Sequence, residues 1–161
     1  MAFGSAWIQK EIWINLKKIY KLKKKINILV VGGTGFIGYH LIKKCIKKNW
    51  KVTSISTREP KPFRYVKRAK YVICDISNKK QLTKKINGKF DYVVNLGGYV
   101  DHSNKTKTYE SHYIGVKNLS EIFLNKSLKS FIQIGSGGEY GNSNVPHKEN
   151  YFTNISKINS V

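Results

Sequence analysis

INILVVGGTGFIG, residues 26–38 of this 161-residue chain, has the pattern of a buried strand that runs directly into a glycine-rich turn. Five of the six residues from Ile26 to Val31 are apolar and most are β-branched, which is typical of a central strand covered on both faces. Glycines follow at positions 32, 35 and 38, and a helix is predicted from Tyr39 to Lys48. This order of strand, glycine-rich turn and helix predicts a dinucleotide-binding site.

The three glycines suit three different tasks in such a turn. Gly32 would permit the tight turn, Gly35 would let backbone N–H groups approach a pyrophosphate, and Gly38 would let the helix pack close to the strand. The alternative is an ordinary loop. A phosphate loop of the G-x-x-x-x-G-K-[ST] type is excluded, because neither Lys nor Ser/Thr follows Gly38. The residues predicted to contact the cofactor here are Gly32, Thr34, Gly35, Phe36, Ile37 and Gly38.

The second predicted strand, KVTSIS at residues 51–56, bears on which dinucleotide would bind. In NAD-selective folds an acidic residue ends this strand and accepts hydrogen bonds from the ribose hydroxyls. Here Ser56, Thr57 and Arg58 stand at that end and offer hydroxyls and a guanidinium to a 2′-phosphate. The alternative is that Arg58 simply opens the next loop. We expect NADP or NAD as the cofactor, with NADP slightly favoured.

The rest of the chain alternates between predicted strands and helices. Strands are predicted at 71–74, 91–96 and 130–134, with helices at 78–86 and 110–125. This alternation predicts an α/β fold with a doubly wound parallel sheet, the Rossmann fold. The long helix is expected to turn five residues toward the core, namely Tyr113, Val116, Leu119, Ile122 and Phe123.

The charge of the chain is strongly positive, with thirty Lys plus Arg against nine Asp plus Glu and a formal net charge of +21. Such a charge can indicate nucleic-acid binding. The lysines are nevertheless scattered through every segment, only three of the basic residues are arginines, and aromatic residues do not interleave with them. We therefore expect no specific nucleic-acid partner, although the positive field would attract phosphorylated cofactors.

Cysteine usage and hydropathy indicate the compartment. Cys45 and Cys74 fit neither a disulfide framework nor a metal site, so we expect both in the core of a protein from a reducing, cytoplasmic compartment, with no metal. No apolar run reaches the length that a transmembrane helix needs. A homodimer is left open.

Residues 1–25 differ from the rest. Apolar residues at helical spacing and lysines concentrated toward the end predict a basic amphipathic extension, which is either a surface for a membrane or partner, or a leader that forms a plain surface helix. A secretory signal is not expected, because the charges follow the apolar residues.

Short motifs follow the predicted strands in a fixed order. Asp75-Ile76 follows the third strand, Asn95-Leu96-Gly97-Gly98 the fourth, and the fifth runs into a turn with Ser136 and Tyr140-Gly141. Gly115, Asn118 and Leu119 lie on the long helix, and Pro146 and Glu149 lie beyond the last turn. Together with the glycine-rich turn, these motifs resemble the extended short-chain dehydrogenase/reductase family, the NAD-dependent epimerase/dehydratase group that acts on nucleotide sugars.

The resemblance implies a role for each motif. Asp75 would meet the adenine amino group, with Ile76 beside it, and Leu96, Gly97 and Gly98 would lie against the cofactor. The family's catalytic Ser or Thr falls at Ser136, where its hydroxyl would hydrogen-bond the reacting sugar oxygen. A Tyr whose pKa is lowered by a Lys four residues later would exchange the proton, and the nicotinamide would exchange the hydride. The alternative for Ser136 is a helix or turn cap.

The chain also departs from the family pattern. Gly137 and Gly138 stand where sugar 4,6-dehydratases carry acidic residues, which favours an epimerase or ketoreductase. His112 stands where many members have Asn, so the backbone-bridging role of that position is in question. No Tyr-x-x-x-Lys follows Ser136. We therefore expect residues 26–161 to be a C-terminally incomplete Rossmann domain that lacks the substrate domain.

Three functions remain in competition at this point. The first is the cofactor-binding part of an NAD(P)-dependent nucleotide-sugar epimerase or ketoreductase. The second is a dinucleotide-binding module without catalysis, which would act as a sensor or scaffold. The third is a nucleic-acid or membrane-surface binder driven by charge.

Overall fold

A five-stranded parallel sheet with the order β3-β2-β1-β4-β5 forms the centre of the computed structural model. The structure describes residues 25–101, 103–124, 128–136, 140 and 148. Within them the strands are β1 (Asn27–Val31), β2 (Lys51–Ser56), β3 (Lys70–Ile73), β4 (Tyr92–Asn95) and β5 (Ser130–Gln133). The helices are α1 (Phe36–Lys47), α2 (Lys79–Lys85), α3 (Lys105–Tyr109) and α4 (Gly115–Phe123), with a short 3-10 turn at Pro62–Arg64. The predicted doubly wound sheet is confirmed.

β1 is the strand at which the direction of winding reverses. It pairs with β2 on one side, where Val31 lies opposite Ile55, and with β4 on the other, where Val31 lies opposite Asn95. The chain first winds outward from β1 to β3 and then crosses back to β4 and β5. Ligands of open α/β sheets bind beyond the carboxyl ends of the strands at this reversal point. The glycine-rich turn leaves β1 at that place.

The core lies on both faces of the sheet, and β1 contributes to both halves. Leu29 and Val31 face a cluster that includes residues of α2 and α4, while Ile28 and Val30 face a cluster with α1. This burial on two faces explains why the strand is apolar at successive positions. Each cluster also holds one of the two cysteines, as expected, and burial raises the pKa of both thiols.

The long helix differs from its prediction in its start and its phase. It begins at Lys105, where the Asn104 side chain accepts a hydrogen bond from the Lys107 N–H. Between α3 and α4 it contains a π-helical turn, Glu110–Ile114, in which the Gly115 N–H donates to the Glu110 carbonyl.

The π-helical turn also explains one wrong assignment to the core. A π turn holds more residues than an α turn, so it rotates the residues before it relative to those after it. Leu119 and Phe123, which follow the turn, are fully buried as predicted. Tyr113 lies within the turn and is 54% exposed, so its predicted inward position is wrong. Val116 and Ile122 are half-buried.

Gly33 occupies a position that tolerates no side chain. A Cβ atom there would overlap the Ser54 hydroxyl of β2 and lie 2.6 Å from Cδ1 of Ile42 in α1. Both neighbours are buried, so neither can move into solvent. The absence of a side chain at Gly33 therefore lets the turn pack on the sheet and on α1 at once.

We predict that Gly33→Ala lowers the free energy of unfolding by about 1–3 kcal/mol, the usual cost of overpacking a core. The matched control is Gly35→Ala, since a Cβ at Gly35 would meet only the Gly32 carbonyl oxygen, at 3.2 Å. Urea unfolding of both variants gives the comparison. Equal stability of the two variants would contradict the packing argument.

Candidate functional site

The glycine-rich turn is held between the carboxyl ends of β2 and β4. The Gly32 N–H donates to the Ile55 carbonyl at 2.8 Å, and the Leu96 N–H donates to the Val31 carbonyl at 3.0 Å. Gly32 has φ of +77°, which disfavours other residues, and a Cβ there would lie 2.9 Å from the Leu96–Gly97 backbone. The turn therefore lies directly against the predicted loop after β4.

The amino end of α1 is open toward this crevice. Gly35 is the cap residue and supplies no side chain, and no acidic residue lies in the first turn of the helix. The first backbone acceptor is Gly35 itself, which receives the Tyr39 N–H at 3.0 Å. The N–H groups of Phe36, Ile37 and Gly38 have no acceptor within the described part of the chain. Free N–H groups and the helix dipole together favour a phosphate at this end.

The end of β2 supports the glycine-rich turn through Ser56. Its hydroxyl donates to the Ile55 carbonyl at 2.7 Å and accepts the Thr34 N–H at 3.3 Å. In this arrangement the Ser56 proton is committed to backbone, so only Thr57 and Arg58 have exposed side chains to offer a ligand. No ion pair involves Arg58 among the described residues. The role of these residues toward a 2′-phosphate stays a prediction.

The loop after β3 is fixed by its own hydrogen bonds and by α4. One carboxylate oxygen of Asp75 accepts both the N–H and the hydroxyl of Ser77, at 2.9 and 2.8 Å. From below, the buried Asn118 amide donates to the carbonyls of Ile76 and Ser77, at 2.9 Å each. The second oxygen of Asp75 has no hydrogen-bond donor in the described ranges and can accept one from a ligand.

Gly115 and Ile76 show why this loop sits so close to the helix. A Cβ at Gly115 would lie 2.6 Å from the Ile76 side chain, which is itself buried. The glycine, the isoleucine and Asn118 thus hold the loop against α4. The motif positions on the long helix therefore act on Asp75 through packing and not through contact with a ligand.

The loop after β4 is fixed at both ends. The fully buried Asn95 amide donates to the Gln133 side chain of β5 at 2.7 Å, and its oxygen accepts the Gly97 N–H at 3.0 Å. At the other end, the Tyr99 N–H donates to the Ser111 hydroxyl, and His112 Nε2 lies 3.0 Å from the Tyr99 carbonyl oxygen. His112 therefore does bridge the backbone, although the sequence put this role in question.

The π-helical turn and Gly98 make room for that bridge. The turn presents Ser111 and His112, which are adjacent in sequence, to the same peptide group. A Cβ at Gly98 would lie 2.5 Å from the His112 ring, so the ring occupies space that a larger residue would fill. Leu96, Gly97 and Gly98 are thereby held beside Gly32, as the resemblance implied.

Ser136 lies exposed just beyond the carboxyl end of β5. The strand reaches that point through a hydrogen bond from the Ile134 N–H to the Asn95 carbonyl at 3.1 Å. Tyr140 of the same turn is half-buried. Residues 1–24, Gly137–Glu139, Gly141, Pro146 and Glu149 lie outside the described residues, and so do the predictions made for them.

All the predicted site residues that the structure describes follow the carboxyl ends of strands in one parallel sheet. Three supporting residues were not predicted. Asn95 and Asn118 could have been found as amides in otherwise apolar surroundings, which indicates buried hydrogen bonds. Gly33 was read only as a spacer, and no sequence signal distinguishes it from its neighbours.

Two classes of site are not found in the described part of the chain. It contains no group of three or more His, Cys, Asp or Glu residues that could hold a metal ion. Among its helices, none is long and apolar enough to cross a membrane.

A parallel sheet with a glycine-rich turn at its reversal point defines a dinucleotide-binding Rossmann fold. The sequence matches the model of the NAD dependent epimerase/dehydratase family over residues 28–159. The chain belongs to this family.

Curated relatives support the same assignment. A bifunctional UDP-glucose 4-epimerase and UDP-xylose 4-epimerase of Arabidopsis thaliana is 27% identical over 136 residues, which covers 74% of this chain and 39% of the relative. A putative UDP-glucose 4-epimerase of Methanocaldococcus jannaschii is 30% identical over 132 residues and covers 77% and 43%. The chain thus spans about two fifths of the length of these relatives.

Solved structures show the same fold. An epimerase of Methanothermobacter thermautotrophicus has a TM-score of 0.71 at 21% identity, covering 78% of this chain and 40% of that one. A Bordetella bronchiseptica enzyme, crystallised with NAD and UDP, has a TM-score of 0.68 at 17% identity, covering 79% and 43%. Of the three functions that the sequence left open, the family match favours the first.

Proposed function

We propose that this chain is the cofactor-binding part of an NAD(P)-dependent nucleotide-sugar epimerase or ketoreductase of the cytoplasm. The observation that carries the proposal is the open amino end of α1, set by Gly32 and Gly35 at the reversal point of the sheet. The family match and the epimerase relatives supply the substrate class.

In this proposal, each strand end contacts one part of a dinucleotide. The N–H groups of Phe36, Ile37 and Gly38 bind the pyrophosphate, and the free oxygen of Asp75 accepts a hydrogen bond from the adenine amino group. The rigid Leu96–Gly98 loop forms the wall beside the nicotinamide half. The nicotinamide, when bound, supplies hydride transfer.

The sugar would lie beyond β5, next to Ser136. This hydroxyl is exposed at the same edge of the sheet as the cofactor site, which suits a hydrogen bond to the reacting oxygen of a nucleotide sugar. Because proton exchange also needs a group of matched pKa, Ser136 would work with a Tyr and Lys supplied from outside the described residues.

Cofactor binding is tested by Gly35→Val, which we expect to abolish it while the fold remains. A Cβ at Gly35 meets only one protein atom within 4 Å, so the added side chain would fill the ligand's space and not the core. Calorimetric titration with NAD and NADP gives the affinity, and circular dichroism checks the fold. Gly35→Ala, with a smaller side chain, should lose less affinity. Unchanged binding by folded Gly35→Val would show that the turn is only a loop.

Cofactor preference is tested at the end of β2. We expect the chain to bind NADP more tightly than NAD, because Thr57 and Arg58 replace the acidic strand end and a pair between Arg and phosphate contributes about 1.5–3 kcal/mol. Arg58→Ala should remove most of the difference. Arg68→Ala is the matched control, since its guanidinium already donates to Asn49 at 2.7 Å. Equal affinity of the unaltered chain for both cofactors, or a preference for NAD, would refute this prediction.

The role of Ser136 is tested by Ser136→Ala in the full-length gene product. We expect kcat to fall by about a hundredfold or more, the usual effect of losing a proton-transfer partner, with cofactor affinity unchanged. Ser103→Ala serves as the control, because the Ser103 hydroxyl is engaged with Asp101 at 2.6 Å, away from the strand ends. A normal kcat in Ser136→Ala would leave that residue with the role of a turn cap.

A further inference from the structure

The segment between β2 and β3 contains all three arginines of the chain, Arg58, Arg64 and Arg68. Their surroundings differ. Arg58 is exposed at the end of β2, and Arg68 is hydrogen-bonded to Asn49. Arg64 is half-buried and has no role in the site as described so far.

The guanidinium of Arg64 lies between two aromatic rings. Its Cζ atom is 6.0 Å from the ring centroid of Phe36 and 5.4 Å from that of Phe63. Phe36 is the first residue of α1, and its N–H is one of the three open donors. Both rings are strongly exposed, at 66% and 69%, so the guanidinium covers apolar surface at the mouth of the glycine-rich turn.

The backbone around Arg64 is anchored to the sheet. In the 3-10 turn, the Arg64 N–H donates to the Lys61 carbonyl at 2.8 Å. Just beyond it, the Val66 N–H donates to the Tyr71 hydroxyl of β3 at 3.2 Å, and the Tyr65 and Tyr71 rings lie 5.5 Å apart. The folded segment and the two rings therefore set the place of the guanidinium, which a solvated side chain would not keep.

No acidic side chain neutralises Arg64 within the part of the chain that the structure describes. The ion pairs there use Lys79, Lys117 and Lys129. A guanidinium stacked on a ring keeps its N–H edge available, and that edge matches the oxygens of a phosphate in a bidentate manner. Arg64 thus combines a fixed position, an unpaired charge and a donor edge next to the open end of α1.

We propose that Arg64 binds the pyrophosphate of the dinucleotide, together with the N–H groups of α1, and that the Phe36 ring holds it in place. This inference rests on the proposed cofactor site. It assigns different phosphates to two arginines of one segment. Arg58, at the end of β2, meets the 2′-phosphate that only NADP carries, whereas Arg64, over Phe36, meets the pyrophosphate that both cofactors share.

The test is a calorimetric titration of NAD and NADP into the unaltered chain and into Arg64→Ala, Arg64→Lys and Arg68→Ala at one fixed salt concentration. We expect Arg64→Ala to weaken both cofactors by the same factor, about tenfold or more, as the loss of a charged hydrogen bond implies. Arg64→Lys should recover part of the loss, because it keeps the charge but not the planar fork. Arg68→Ala removes the same charge from the same segment and should change either affinity less than about twofold.

Each other outcome decides against the inference. A loss for NADP alone would place Arg64 at the 2′-phosphate, and a loss no larger than that of Arg68→Ala would show only a general charge effect. Either result, with the unaltered chain still binding, leaves the proposed cofactor site intact. If the unaltered chain binds neither cofactor, the proposed function fails and this inference fails with it.

Discussion

The close approach of the Gly32–Gly33 turn to its neighbours is the constraint on which the rest of the structure depends. Gly32 abuts the loop after β4, while Gly33 lies on the Ser54 hydroxyl of β2. Because the turn contacts three strand ends at once, it fixes where α1 begins and how its N–H groups point. A side chain at either glycine would separate the helix from the sheet and so move the donors of the anion site. Packing and binding are therefore set by the same two residues.

The loops around this turn are made rigid by hydrogen bonds from buried side chains. Asn95 connects β4 to β5 and also shapes the loop that follows β4, while Asn118 fixes the loop after β3 from below. An amide inside the protein is costly unless its donors and acceptors are used, and both of these use more than one. Such fixed loops suit a site that must hold a long cofactor in one orientation, because little ordering remains to be done on binding.

Most of the fold could be predicted from the sequence, because hydrophobic period and turn residues act locally. The strand at 51–56 matches its predicted bounds, and the other four differ by one residue at one or both ends. The failure at Tyr113 has a different origin. A π-helical turn costs one irregular hydrogen bond, and here that cost is offset by the contacts of Ser111 and His112 with Tyr99. Those contacts join residues more than ten positions apart, so no local pattern could have revealed them.

The candidate site was predictable in its parts but not in its connections. The glycine spacing and the strand-end motifs gave the residues, whereas the partner of each residue depended on the folded chain. Ser56 shows the difference, since its hydroxyl supports Thr34 in the structure although the sequence offered it to a ligand. Arg64 shows the converse, since nothing in the sequence separates it from the other basic residues until Phe36 and Phe63 are found beside it.

The large positive charge of the chain cannot by itself explain recognition of one cofactor over another. Charges on the surface are screened within about 8 Å at physiological ionic strength, so most of the thirty basic residues act only on the approach of an anion. Discrimination must come from cations held close to a particular phosphate. The three arginines, all between β2 and β3, are the residues whose planar donors suit that task, and the fold places them beside the glycine-rich turn or directly behind it. Specificity in this chain is therefore a property of one connecting segment, while the lysines elsewhere set only the rate at which anionic ligands arrive.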